Sequence, residues 1–154
     1  MVYAVVRVRG QPDVNRDIEH TMKLLNLTRV NHCVLVPEDD ITKGMLNKAK
    51  DYITWGEASP ETVLAMMKAR GRLPGNKGLN DENLQESTEF SSLDELAAAV
   101  AAEEVRLSAV DGVKPVFRLH PPVKGYEGNK RSFRAGGALG YRGEAINELI
   151  ARMI

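Results

Sequence analysis

A single cysteine in 154 residues excludes an intramolecular disulfide, and its setting, "NHCVLV", reads as a buried strand and not as a reactive thiol. That usage points to a reducing compartment. No apolar run approaches the roughly 20 residues of a membrane-spanning helix. The opening "MVYAVVRVRG" is too short, and too soon broken by Arg7, for a signal peptide. A cytoplasmic location is expected. Aromatic residues are thin at 5%, whereas 43% hydrophobic and 27% charged residues are ordinary for a globular chain, enough for one domain with a real core.

Net charge is also lacking: 21 Lys and Arg balance 21 Asp and Glu, which argues against holding nucleic acid by global charge. The distribution is uneven. Between Lys77 and Arg106 there is no Lys or Arg, while Asp81, Glu82, Glu86, Glu89, Asp94, Glu95, Glu103 and Glu104 all fall there. From Lys114 to Arg142 the pattern inverts, with Lys114, Arg118, Lys124, Lys130, Arg131, Arg134 and Arg142 against Glu127. The acidic block reads as a solvated face able to repel a polyanion and so orient the protein on one.

Val2, Ala4, Val6 and Val8 alternate with Tyr3, Val5, Arg7 and Arg9, the period of a strand with one buried face, which places Arg7 and Arg9 together on the other. "GQPD" ends it, and Val14, Ile18, Met22 and Leu25 follow at helical spacing. "RVNHCVLVPEDD" is a second strand, after which Asp40 or Thr42 caps a short helix bearing Met45, Leu46 and Ala49. "YITWG" is a third strand. Ser59, Pro60 and Glu61 open a helix that Gly71 stops, "RLPGNKGLN" reads as a loop, and Ser92 with Glu95 forms a capping box. "VFRL" is a late strand, the basic Gly/Pro segment a long loop, and Ile146, Leu149, Ile150 and Met153 mark a terminal helix. This order predicts an α+β domain, an antiparallel sheet with helices on one face.

The chemistry-bearing patterns are mostly absent. "AGGALGYRG" has glycines at the wrong offsets for a phosphate loop or a dinucleotide fingerprint, so turns needing positive φ are the simpler reading. His20, His32 and His120 are too scattered for a metal site, and no local signature marks a nucleophile. No cofactor and no metal are expected. The segment "RLHPPVKGYEGNKRSFRAGGALG" stands out instead. A loop beyond about 15 residues is uncommon in a compact domain unless functional or disordered. Its cations alternate with Gly, Pro, Tyr126, Phe133 and, just beyond, Tyr141, a composition suited to phosphates and bases, with RNA ahead of DNA because no basic reading helix is evident.

"VRVRG", "VNHCVLVPEDDITKGML", "ITWGEASPETV" and "FRLHPPVKGYEGNKRSFRAGGALG" occur in the order and spacing of the archaeal branch of the ribosomal protein L-thirty family, related to eukaryotic protein L-seven. The resemblance covers essentially the whole chain. It implies a β-α-β-α-β core, ferredoxin-like with an antiparallel sheet, over residues 1–57, and a helical and basic-loop extension over 58–154 packed on it as one globular unit. It also implies a structural constituent of the large ribosomal subunit, not an enzyme, located on the cytoplasmic ribosome. The implied partners are large-subunit (23S-type) ribosomal RNA, with the 5S RNA in the vicinity, and neighbouring ribosomal proteins, with no membrane and no small-molecule substrate.

Matched residue by residue, Arg7, Arg9, Arg29, Asn31, His32 and Lys43 resemble the RNA-facing pattern of the core. Arg118, His120, Lys124, Lys130, Arg131, Arg134 and Arg142 resemble that of the basic loop, with Gly136, Gly137 and Gly140 permitting backbone approach to RNA. The expectation is a loop that becomes ordered against folded RNA, in which His120 is a neutral hydrogen-bonding residue. Strand one begins almost at Met1, where eukaryotic relatives carry a long basic arm. Two rival readings are a small-molecule-binding regulatory module on a ferredoxin-like sheet and, last, a phosphotransfer or hydrolytic enzyme using the Gly-rich loop.

Overall fold

The computed structural model describes residues 2–10, 14–73, 77–78, 80, 82, 92–106, 115–128 and 130–154. Asp81, Glu86, Glu89 and Lys114 of the two charge blocks, and most of "GQPD", lie outside them. Strands β1 (Tyr3–Arg7), β2 (His32–Val36) and β3 (Ile53–Glu57) alternate with helices α1 (Arg16–Leu24) and α2 (Asp40–Lys48). Then come α3 (Pro60–Arg70), β4 (Arg72–Leu73), β5 (Lys77–Gly78), α4 (Leu93–Ala101), β6 (Val116–Arg118), a 3-10 turn (Phe133–Ala135), β7 (Gly140–Tyr141) and α5 (Ala145–Ala151). The fold is α+β and ferredoxin-like.

The main sheet has the order β6-β2-β1-β3-β7. β1 lies between β2 and β3, antiparallel to both, and β6 continues the antiparallel pattern outside β2. β7 joins β3 in parallel, Thr54 opposite Gly140, so the strand after the basic loop closes the sheet's far edge. β4 and β5 pair antiparallel within the stretch expected to be loop.

The helices do not share one face. Val2, Ala4, Val6, Cys33 and Phe117 pack against α3, α4 and α5. Tyr3, Val5, Val34 and Trp55 pack against Met22, Leu25, Leu27, Leu46 and Ala49 from α1, α2 and the turn between α1 and β2. β1 is therefore buried along its whole length, as a central strand covered on both sides should be. Each fully buried Val, Leu or Phe contributes about 1.5–3 kcal/mol, so the second layer is a major stabilising term. Burial pushes the Cys33 thiol up to about 12, the state of an inert core cysteine.

Local chemistry sets the helix ends. The Asn15 side chain accepts from Asp17 N–H, Ser59 from Thr62 N–H and Ser92 from Glu95 N–H. The cap of α2 is Asp39, accepting from Thr42 N–H at 2.7 Å, and neither Asp40 nor Thr42, the two residues expected. Far contacts hold the rest. Asn147 of α5 accepts from Ser59 N–H at 2.9 Å and donates to the Glu57 carbonyl at 3.1 Å, fixing the terminal helix to the β3–α3 turn.

Candidate nucleic-acid interface

The strand registers bring distant basic residues to one end of the sheet. β1 and β6 finish there, while β2, β3 and β7 begin there. Arg118 stands opposite His32, Arg29 precedes them in the turn before β2, and Arg9 follows the end of β1. Arg29 and Arg118 are exposed; Arg9 is half-buried, its guanidinium 5.1 Å from the Tyr52 ring centroid and Nη1 donating to the Asp51 carbonyl at 3.4 Å. Burial, then the charges of Arg118, Arg29 and Arg7, hold the half-buried His32 imidazole below its ordinary value, so it is neutral at pH 7.

Asn31 is the hinge between this end and the basic loop. Its φ of 68° is a left-handed conformation that Asn tolerates better than most residues. Its N–H donates to the Arg7 carbonyl at 2.8 Å, its carbonyl accepts from Leu119 N–H at 3.2 Å, and its Oδ1 accepts from the Tyr126 hydroxyl at 2.7 Å. Those bonds commit the backbone and Oδ1 to positioning.

The basic loop is a folded lobe held by its own backbone hydrogen bonds, where the sequence read as irregular chain. Phe133 N–H donates to the Leu139 carbonyl at 2.7 Å, Leu139 N–H to Arg131 at 3.1 Å, Gly137 N–H to Ser132 at 2.8 Å and Ala138 N–H to Gly128 at 3.0 Å. Tyr126, Ala138 and Leu139 pack on Val8. Lys124, Lys130, Arg131 and Arg134 are exposed on this lobe. It sits at the same end of the sheet, because the strand it feeds, β7, begins there.

Two arginines matched to the RNA-facing pattern lie inside the protein instead. Arg7 is 2% exposed; Nη1 donates to the Leu27 carbonyl at 2.8 Å and Nε to the Arg9 carbonyl at 2.9 Å, tying β1 to the segment after α1. Arg142, 6% exposed, donates from Nε to Thr54 Oγ1 and from Nη2 to the Ala138 carbonyl, both at 2.8 Å. Its guanidinium lies 5.0 Å from the Phe133 ring centroid and 3.9 Å from Glu127. Burial lowers the pKa of both groups, yet an arginine stays charged. Their charge builds the fold.

Gly137 is also structural. It is buried, and a Cβ there would collide with the Arg131 carbonyl. Gly136, at φ 83°, is exposed with open space at its Cβ position; Gly140, at φ 84°, is half-buried and its carbonyl accepts from Thr54 Oγ1 at 2.8 Å. His120 places its two ring nitrogens 2.6 Å from the Pro121 and Ile154 carbonyl oxygens, joining β6 to the chain after α5. Lys43 is exposed but sits on α2 beside Tyr3, Trp55 and Tyr141, away from this cluster.

Two contributors escaped the sequence reading. Arg152 donates to the Val123 and Gly125 carbonyls, each at 3.2 Å, and lies 3.5 Å from Glu127. Thr54 receives Arg142 across 88 residues. Together Arg142 and Arg152 offset the charge of Glu127, so the outer face of the lobe presents its cations with that carboxylate already paired. Among the described residues no three of His, Cys, Asp and Glu come together to hold a metal ion.

Comparison with known proteins gives the family. Residues 3–53 match the family described as ribosomal protein L30p/L7e. A protein of Methanosphaera stadtmanae named large ribosomal subunit protein uL30 is 51% identical over 99% of this chain and 100% of its own length. The protein of the same name from Methanococcus vannielii is 52% identical over the whole of both chains, and that of Thermoplasma volcanium 48% identical over 98% of this chain and 92% of its own. Such identity, in matches that span 98% or more of this chain, means that the chain belongs to the ribosomal protein L30p/L7e family.

Proposed function

We propose that this protein is a structural constituent of the large ribosomal subunit that binds folded large-subunit ribosomal RNA with the basic end of its sheet. On the ribosome in the cytoplasm, Arg29 and Arg118 from the strand ends, with Lys124, Lys130, Arg131 and Arg134 from the lobe, neutralise phosphates. Arg9 and the neutral His32 supply hydrogen bonds, and Gly136 offers the exposed backbone. Asn31, His120, Arg7, Arg142 and Gly137 hold these groups in place. Residues 1–57 act as the core and 58–154 as the extension that adds the lobe.

The observation that carries this reading is the gathering of exposed cations from strand ends and loop onto one surface, with Glu127 already paired from within. Recognition of folded RNA rests on shape and phosphate contacts, which a basic surface on a folded lobe can provide. The test is binding of the purified protein to protein-free large-subunit RNA across a salt series, with Arg131→Ala and Arg134→Ala in parallel. Each lost phosphate contact should flatten the log-log salt slope by about 1. Saturable one-to-one binding with that flattening supports the reading; binding indifferent to both changes refutes it.

A further inference from the structure

The opposite end of the sheet is unlike the basic one and carries a feature the RNA reading does not use. There Tyr3, Trp55 and Tyr141, with Lys43 and Asn47, line an open hollow of about 220 Å³. Trp55 is the sole tryptophan, and the two tyrosines are half of the chain's four, in a protein where aromatics are scarce. Tyr3 and Trp55 form the floor, at 5% and 6% exposure, while Tyr141 leaves 46% of its surface to solvent. The Tyr141 ring stands edge-on to Tyr3 at 6.4 Å between centroids and tilted to Trp55 at 6.3 Å. An exposed aromatic resting on two buried ones is a preformed ledge with little entropy left to lose.

The charge around the ledge is negative. The Tyr141 hydroxyl donates to Glu57; that bond first, then burial, then the charges of Glu57, Glu38 and Glu144 raise the phenol's pKa to about 12. These three carboxylates outweigh the single ammonium of Lys43. A phosphodiester would be repelled here, whereas a guanidinium would find a ring face to stack on and a carboxylate to pair with.

We infer that this aromatic hollow docks an arginine-bearing segment of a basic protein partner, leaving the basic end of the same molecule free for RNA. The occupant is argued from complementarity. Arginine offers the planar cation that suits both the Tyr141 face and the Glu57 carboxylate, and Asn47 adds a side-chain amide for a peptide carbonyl. This surface is independent of the proposed RNA contacts, so either can fail without the other.

Trp55 supplies the readout. A short synthetic arginine-glycine peptide titrated into the intact protein should give a saturable change in Trp55 emission. Tyr141→Ala and Glu57→Gln should each weaken it about tenfold, the size expected for losing a cation–π or a partly desolvated ionic contact. Tyr141→Phe keeps the ring and should bind close to the parent, which separates loss of the ledge from general damage, and Arg131→Ala at the far end should leave the titration unchanged. No saturable change, equal affinity in all the variants, or the same change produced by a single-stranded RNA oligonucleotide would each overturn the inference. RNA binding itself is read from the salt slopes of the Arg131 and Arg134 variants and has no bearing on this outcome.

Discussion

The two ends of the sheet are built from the same strands and differ almost completely in what they present. At one end lie Arg9, Arg29, Arg118 and the lobe with Lys124, Lys130, Arg131 and Arg134, and Glu127 beside them is engaged by Arg142 and Arg152. At the other lie Glu38, Asp39 and Asp40 after β2, Glu57 at the end of β3, Glu103 and Glu104 after α4, and Glu144 after β7, with Arg106 paired to Asp39 at 3.7 Å and Lys43 nearby. A net charge of zero thus conceals an uneven distribution. A segregated surface has a direction: one end attracts a polyanion while the other turns from it, which orients the molecule without global charge.

The comparison also separates cations that face outward from cations that build. Arg142→Ala should have the largest effect on stability, because it leaves the buried Ala138 carbonyl without its partner, at about 1–3 kcal/mol, and removes the bond that Thr54 Oγ1 accepts, while that hydroxyl keeps its donation to the Gly140 carbonyl. Arg131→Ala, on the exposed side of the same lobe, should stay within about 0.5 kcal/mol. Urea unfolding of the two variants compares them directly, and equal losses would break the distinction. Gly137→Ala follows, with a cost of about 1–3 kcal/mol from forcing the Arg131 carbonyl aside. Gly136→Ala, where the Cβ meets open space but φ is positive, should cost less, about 1 kcal/mol.

Removing a cation should then matter for RNA affinity at one end and not at the other. Combining Arg131→Ala with Arg134→Ala should lower the salt slope by about 2, one per phosphate contact. Lys43→Ala, at the acidic end, should leave the slope unchanged; a drop of the same size per residue would move the interface onto α2.

The smallest effect concerns pH. His32 has its folded pKa below the ordinary 6.5 through burial and the neighbouring arginines, so the unfolded chain takes up the proton more readily. Its contribution to stability is complete above the unfolded value and is lost as pH falls from about 6.5 toward the folded pKa. His32→Gln should therefore flatten the stability profile across that window in pH-dependent urea unfolding. A phosphate beside Arg118 and Arg29 would push the imidazole back up, so RNA binding by the parent should tighten as pH drops through the same range, and by less in the variant.

Elements fixed by local chemistry were legible in the sequence. The first three strands, the caps at Ser59 and Ser92, and the apolar face of α5 follow from periodicity and capping alone. What stayed hidden depends on long-range closure. An arginine alternating with valines reads as solvent-facing, and only the folding of α1 and α2 onto that side of the sheet turns Arg7 inward to the Leu27 carbonyl. Prolines and glycines after β6 read as irregular chain, whereas bonds from Arg142 to Thr54 and from Tyr126 to Asn31 span 88 and 95 residues and make a lobe of it. Gly137 looked like room for a ligand, but the space is taken by the protein's own Arg131 carbonyl. The resemblance named candidate residues; the fold decides which of them are buried as supports and which face out.

The most direct test of the segregated-surface account is a cryo-electron-microscopy map of the assembled large subunit containing this protein. The account predicts Arg29, Arg118, Arg131 and Arg134 within hydrogen-bonding distance of RNA phosphates, with Glu38, Glu57 and Glu144 turned away from RNA. A map showing the basic lobe in solvent, or the acidic end pressed against the RNA, would contradict it.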